Sequence, residues 1–127
     1  MKLDYLGRIN TDGDNVVRLY EFDKAQAEMF RDIVHQEIVT NQTDLELSSI
    51  EFIEARNCTL TLRIADEDLG ITTLDNHNFF CELTIEGYIK MVALLAPFCR
   101  KETRGYQYLY DIDNPTDFLF SPSATWE

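Results

Sequence analysis

The chain has 127 residues, a length typical of one domain, and 45% of them are apolar, a share that disordered chains do not reach. Its 11 lysines and arginines face 23 aspartates and glutamates, for a formal net charge of −12. So acidic a surface repels phosphates and anionic headgroups, which argues against nucleic acid and membrane surfaces as partners and favours a basic protein.

No apolar run approaches the roughly 20 residues of a membrane span. The opening "MKLDYLGRIN" carries an acid and lacks the apolar stretch of a secretory signal. Cys58, Cys81 and Cys99 are widely spaced and never form a C-x-x-C pair. Together these features predict reduced thiols in a cytoplasm.

In chain order, "KLDYLGRI" and "VVRLYEF" flank the turn-forming "NTDGDN" and predict an opening hairpin. Asp23, with Gln26 three residues on, makes a capping-box pattern, so a helix is expected from Lys24 to about Val39. Ala27, Phe30, Val34 and Ile38 form its apolar stripe, widened by Met29 and Ile33. Leu45 and Leu47, then Ile50 and Phe52, alternate with a phase shift at Ser48–Ser49, which predicts a bulge or sharp bend. Cys58, Leu60, Leu62 and Ile64 alternate with Thr59, Thr61 and Arg63 as in a half-buried strand. "LGITTL" and "FFCEL" are further strands, separated by the turn "DNHN". Thr84 caps a second helix running to about Ala96, apolar over a wide arc. Pro97 is expected to stop or kink it. "GYQYLY" and "DFLFS" form a final hairpin joined by "DIDNPT".

The order is therefore ββ-α-ββββ-α-ββ. It predicts one α+β domain over 1–127, with two amphipathic helices packed on a mostly antiparallel sheet. Each helix follows a similar run, "EFD" at 21–23 and "ELT" at 82–84, which hints at two similar halves.

Local site motifs are weak. "NTDGDNVVRLYE" places Asn10, Asp12, Asp14 and Glu21 at calcium-loop positions, but Asn15 stands where that loop needs glycine and the flanks read as strands. A plain turn is the expectation. His77 and Cys81 have an H-x-x-x-C spacing without the second pair a zinc site needs, and a thiol nucleophile there would need a third group and an oxyanion hole. Asp66, Glu67 and Asp68 read as a solvated loop. Arg100, Lys101 and Arg104 complement the dipole of the second helix. No phosphate loop, nucleophile elbow or dinucleotide fingerprint is present, and no cofactor or metal is predicted.

The most distinctive stretch is "GYQYLYD". Tyr106, Tyr108 and Tyr110 fall at alternate positions and are expected to share one strand face, opposite Phe118 and Phe120 on the partner strand. Such aromatic faces serve nucleic-acid binders when bases surround them, but here the neighbours are Asp111, Asp113 and Asp117. The tyrosines therefore read as core support, with their hydroxyl ends at a contact surface. The candidate binding residues are Tyr106, Tyr108, Tyr110, Asp111 and Asp117, with His77 and Cys81 added for a small molecule. The leading expectation is a small, acidic, non-catalytic protein-binding or regulatory module that meets a basic partner. Acidic immunity and antitoxin proteins that neutralise basic toxins are similar in charge, by analogy alone. The alternative is a small-molecule-binding domain or enzyme with a pocket between helix and sheet.

Overall fold

The computed structural model describes residues 1–8, 13–102, 104–111 and 116–123. Strands β1 (Lys2–Leu6) and β2 (Asn15–Tyr20) form the opening antiparallel hairpin. Their register places Leu3 opposite Leu19 and Tyr5 opposite Val17, so one face is apolar and turned to the core. Glu21 sits in the left-handed region (φ 53°), where the chain turns towards helix α1 (Lys24–Val34). The capping box is formed: the Gln26 amide donates to Asp23 Oδ1 at 2.8 Å, and the Asp23 amide donates to Gln26 Oε1 at 3.3 Å. A π-helical segment, His35–Thr40, continues the helix to the expected end. Ala27, Phe30, Val34 and Ile38 are buried as the stripe requires, whereas Met29 is exposed.

The phase shift at Ser48–Ser49 is a sharp bend, not a bulge, and the strand ends there. Strand β3 (Leu45–Glu46) gives way to a 3-10 turn, Leu47–Ser49, where Ser49 Oγ donates to the Glu46 carbonyl at 2.7 Å. Ile50 and Phe52 lie in turns, and a two-residue strand, β4 (Glu54–Ala55), then pairs parallel to β1. Strands β5 (Thr59–Ile64), β6 (Gly70–Thr73) and β7 (Asn78–Leu83) follow as the alternation predicts.

Helix α2 (Ile85–Arg100) does not stop at Pro97. The ring removes one N–H that would serve the Ala93 carbonyl, but both residues lie on the exposed side, where water can replace the donor. On the other side Phe98 and Cys99 are buried, and Phe98 packs against Phe22 and Phe120, which holds the last turn in helical form. Strands β8 (Gln107–Tyr110) and β9 (Thr116–Ser121) close the fold.

The fold is α+β, and the strands divide between two sheets rather than one. The first has the order β4-β1-β2-β9-β8 and the second β3-β5-β7-β6. Each sheet holds two antiparallel pairs joined by a central parallel pair, β2 with β9 and β5 with β7, and the first adds β4 parallel to β1 at its edge. The hint of two halves acquires a topological form here. Each half runs hairpin, helix, antiparallel pair, and each half's leading hairpin is completed by the trailing pair of the other. One apolar core spans the inner faces of both sheets and both helices.

Tyr88 secures that exchange. Its side chain is fully buried, and its hydroxyl meets the Cys81 carbonyl on β7 and the Arg63 carbonyl, at 2.8 Å, on the parallel neighbour β5. Burial drives the phenol far above its ordinary pKa, so it stays a donor at any working pH. Tyr88→Phe should cost about 1–3 kcal/mol, because carbonyls in a dry site lose a donor while packing is kept. Urea denaturation followed by circular dichroism would measure this.

Candidate functional site

The tyrosine stretch lies on β8, an edge strand of the first sheet, and its alternation is broken. Tyr108 is paired with Leu119 and Tyr110 with Phe118, with a register irregularity at Leu109 between them. Leu119 and Phe118 point to opposite faces of β9, so Tyr108 and Tyr110 do not share a face. Leu109 turns into the core, and Tyr110 packs at its margin and donates from its hydroxyl to the Asp68 carbonyl at 3.1 Å. Tyr106 precedes the strand. It is 60% exposed and stands edge-on to Tyr108, with ring centroids 5.8 Å apart.

Around Tyr108 the acids collect. The Asp117 carboxyl is raised above its ordinary value, first by partial burial and then by the charges of Asp111 and Asp14. The Tyr108 hydroxyl is raised by burial and then by Asp117, Tyr106, Asp111 and Asp14. Three chain segments, the turn before β2, the stretch around β8, and β9, thus bring three carboxylates and two tyrosines near one another. A carboxyl whose folded pKa is raised destabilises the fold above that pKa, and the penalty fades as pH falls through the raised value and is gone below the ordinary 3.8. Asp117→Asn should therefore raise the melting temperature at pH 7. The gain should shrink with added salt and vanish in acid, which thermal melts across pH would check.

Behind this patch a cleft of about 250 Å3 opens between β8 and α2. Leu83, Leu94 and Leu109 supply its apolar lining, and Tyr108, Tyr110, Asp68, Asp111 and Lys90 supply the polar groups. Asp68 is fixed from the helix side: Oδ1 accepts from the Thr84 amide at 2.8 Å and from Thr84 Oγ1 at 2.9 Å. Thr84 Oγ1 in turn accepts from the Gly87 amide at 3.1 Å, the expected cap. A Cβ at Gly87 would stand 2.7 Å from Asp68 Oδ1, so the missing side chain is what lets the carboxylate lie against the helix.

The remaining sequence candidates are not brought into this site. His77 is exposed in the turn before β7, where its amide donates to Asp75 Oδ1 at 2.9 Å. Cys81 is fully buried, and burial pushes its thiol up to about 12, which keeps it protonated and inert. The two occupy opposite environments and do not form a pair. Cys58 and Cys99 are also buried, unpaired thiols. Of the calcium-like positions, Asn10 and Asp12 lie outside the described residues, as does Asp113, while Glu21 is bound to Lys2 at 2.7 Å. Among the described residues no three carboxylate, imidazole or thiol groups converge to hold a metal ion.

A second hollow of about 260 Å3 lies on the outer face of the second sheet. Its polar groups satisfy one another: Glu82 accepts from Arg63 Nε at 3.0 Å and from Thr72 Oγ1 at 2.8 Å, and Arg63 lies over the Phe80 ring at 4.0 Å. Sequence reasoning missed the place of Asp14 in the acidic patch and of Lys90 and Asp68 in the first cleft. No local signal marked Asp68, because β6 and β7 separate it from the Thr84 cap that holds it.

No protein-family model, curated protein or solved structure matches this chain. Among the described residues no helix is long and apolar enough to cross a membrane.

Proposed function

We propose that the protein is a small, non-catalytic binding module whose acidic face meets a basic protein partner. The crowding of Asp14, Asp111 and Asp117 beside Tyr106 and Tyr108 carries this reading. Carboxylates that repel one another in the free protein gain most from a partner's cations, and a net charge of −12 steers such a partner from a distance. Exposed tyrosine beside them supplies rigid apolar contact area of the kind enriched at interfaces. The same charge disfavours nucleic acid. Three unpaired thiols support a reducing compartment, the cytoplasm. Neutralisation of a basic toxin is one role that fits, by analogy of charge alone.

The small-molecule alternative draws on the cleft between β8 and α2. At about 250 Å3 it is smaller than the roughly 300–1,000 Å3 of ordinary ligand pockets, and His77 and Cys81 are absent from its lining.

The test is affinity capture with the wild-type chain and with Asp111→Lys/Asp117→Lys. The expected result is a basic protein held at low salt, released as salt rises, and lost with the charge-reversed variant. Equal capture by both baits, or none by either, would overturn the proposal.

A further inference from the structure

We infer that the cleft between β8 and α2 is an anchor pocket for a single arginine side chain, and, resting on the reading above, that the arginine belongs to the basic partner. The size of the cleft suits a side chain better than a free metabolite. Its lining is divided as an arginine is divided. Leu83, Leu94 and Leu109 suit the methylene stem, and Tyr110, whose hydroxyl reaches the Asp68 carbonyl, offers a ring for a planar guanidinium to stack on. Two carboxylates, Asp68 and Asp111, outnumber the one ammonium, Lys90, so the cleft keeps an excess of negative charge. Asp68 is already immobilised by Thr84, so little ordering is required of it on binding. Tyr108 and Asp111 belong both to the cleft and to the acidic patch, which makes the pocket continuous with the proposed interface. Lys90 opposes the guest and therefore tunes the pocket: it admits a cation only where two acids and a ring outweigh it.

The probe is the blocked peptide acetyl-Gly-Arg-Gly-amide, titrated into the 15N-labelled full chain, with citrulline, lysine and glutamate analogues as comparisons. The arginine peptide should give saturable shifts at the amides of Gly87, Lys90 and Tyr108–Asp111. The uncharged citrulline analogue should bind at least about tenfold more weakly, since charge-assisted bonds are roughly twice as strong as neutral ones. Asp111→Asn should weaken arginine binding several-fold, and Lys90→Ala should strengthen it. Equal binding of citrulline, preference for the glutamate analogue, weakening by Lys90→Ala, or no saturable shift at these amides would each overturn the inference. Partner capture separates the two readings. Leu94→Trp fills the cleft, whereas Asp14→Lys alters the patch outside the cleft lining. If Asp14→Lys abolishes capture and Leu94→Trp leaves it intact, the pocket is not the anchor although the acidic-face reading stands. If both abolish capture while Leu94→Trp keeps the native spectrum, the pocket is part of the interface.

Discussion

Asp4→Ala is expected to destabilise the protein by about 3–5 kcal/mol, far more than the loss of any surface charge. Asp4 on β1 faces Arg18 on β2 across the hairpin, on the side of the first sheet away from the main core. Arg18 is only 1% exposed. Its Nε donates to Asp4 Oδ1 at 2.7 Å and its Nη2 to Oδ2 at 3.0 Å, a bidentate pair, and its guanidinium lies 3.9 Å from the centre of the Tyr20 ring. Removing the carboxylate strips two charge-assisted bonds from a guanidinium that cannot lose its proton and cannot reach bulk water without moving the strand. The exposed pair Arg31–Asp32, at 3.0 Å, is the control: Asp32→Ala should cost no more than about 1 kcal/mol. The double replacement Asp4→Leu/Arg18→Met should recover most of the loss, because an apolar pair of similar volume avoids the desolvation that the ion pair must offset. Urea denaturation of the four proteins measures all three statements. A loss below about 1 kcal/mol for Asp4→Ala would mean that the pair contributes no more than a surface contact.

Phe120→Ala should cost about 3–5 kcal/mol as well, by a different mechanism. Phe120 on β9 is fully buried, with Phe22 at 4.1 Å between ring centroids, Phe98 edge-on at 5.0 Å and Phe30 stacked at 5.8 Å. Those rings come from the link before α1, from α1 and from the end of α2. One deletion therefore opens a cavity where both helices meet the first sheet, and rigid neighbours cannot close around it. Because β9 also positions Asp117, the variant should lose partner capture at temperatures where a surface substitution such as Met29→Ala does not. Paired denaturation and capture experiments would show whether the two losses move together.

Much of the fold was legible in local pattern. The Asp23 and Thr84 caps, the α1 stripe and the alternation in β5 were read directly, because each depends on contacts a few residues apart. Of the two outcomes expected at Pro97, the stop did not occur: the local rule is sound, but it was outweighed by the burial of Phe98 and Cys99 against distant rings. The candidate site was half legible. Tyr106, Tyr108, Asp111 and Asp117 do meet, yet the expected common face of the tyrosines fails at Leu109, where the core takes the leucine and shifts the register. Asp14, read only as a calcium-like turn position, and Lys90 were not tied to this site because they come from the turn before β2 and from α2, and no spacing in the chain links them to β8.

By itself, then, the sequence determined the helices with their starts, the alternating strands, the acidity and the absence of any compact catalytic motif. The tertiary structure alone decided that each leading hairpin is completed in parallel by the trailing pair of the other half. It also decided that Arg18 is buried on Asp4, and that a cleft lined by Asp68, Lys90 and Tyr108 opens beside the acids. The physical reason is range. Periodicity and capping are set by backbone geometry within a turn or two, whereas strand partners, bulges and clefts depend on which surfaces fit after segments roughly 50–100 residues apart have met.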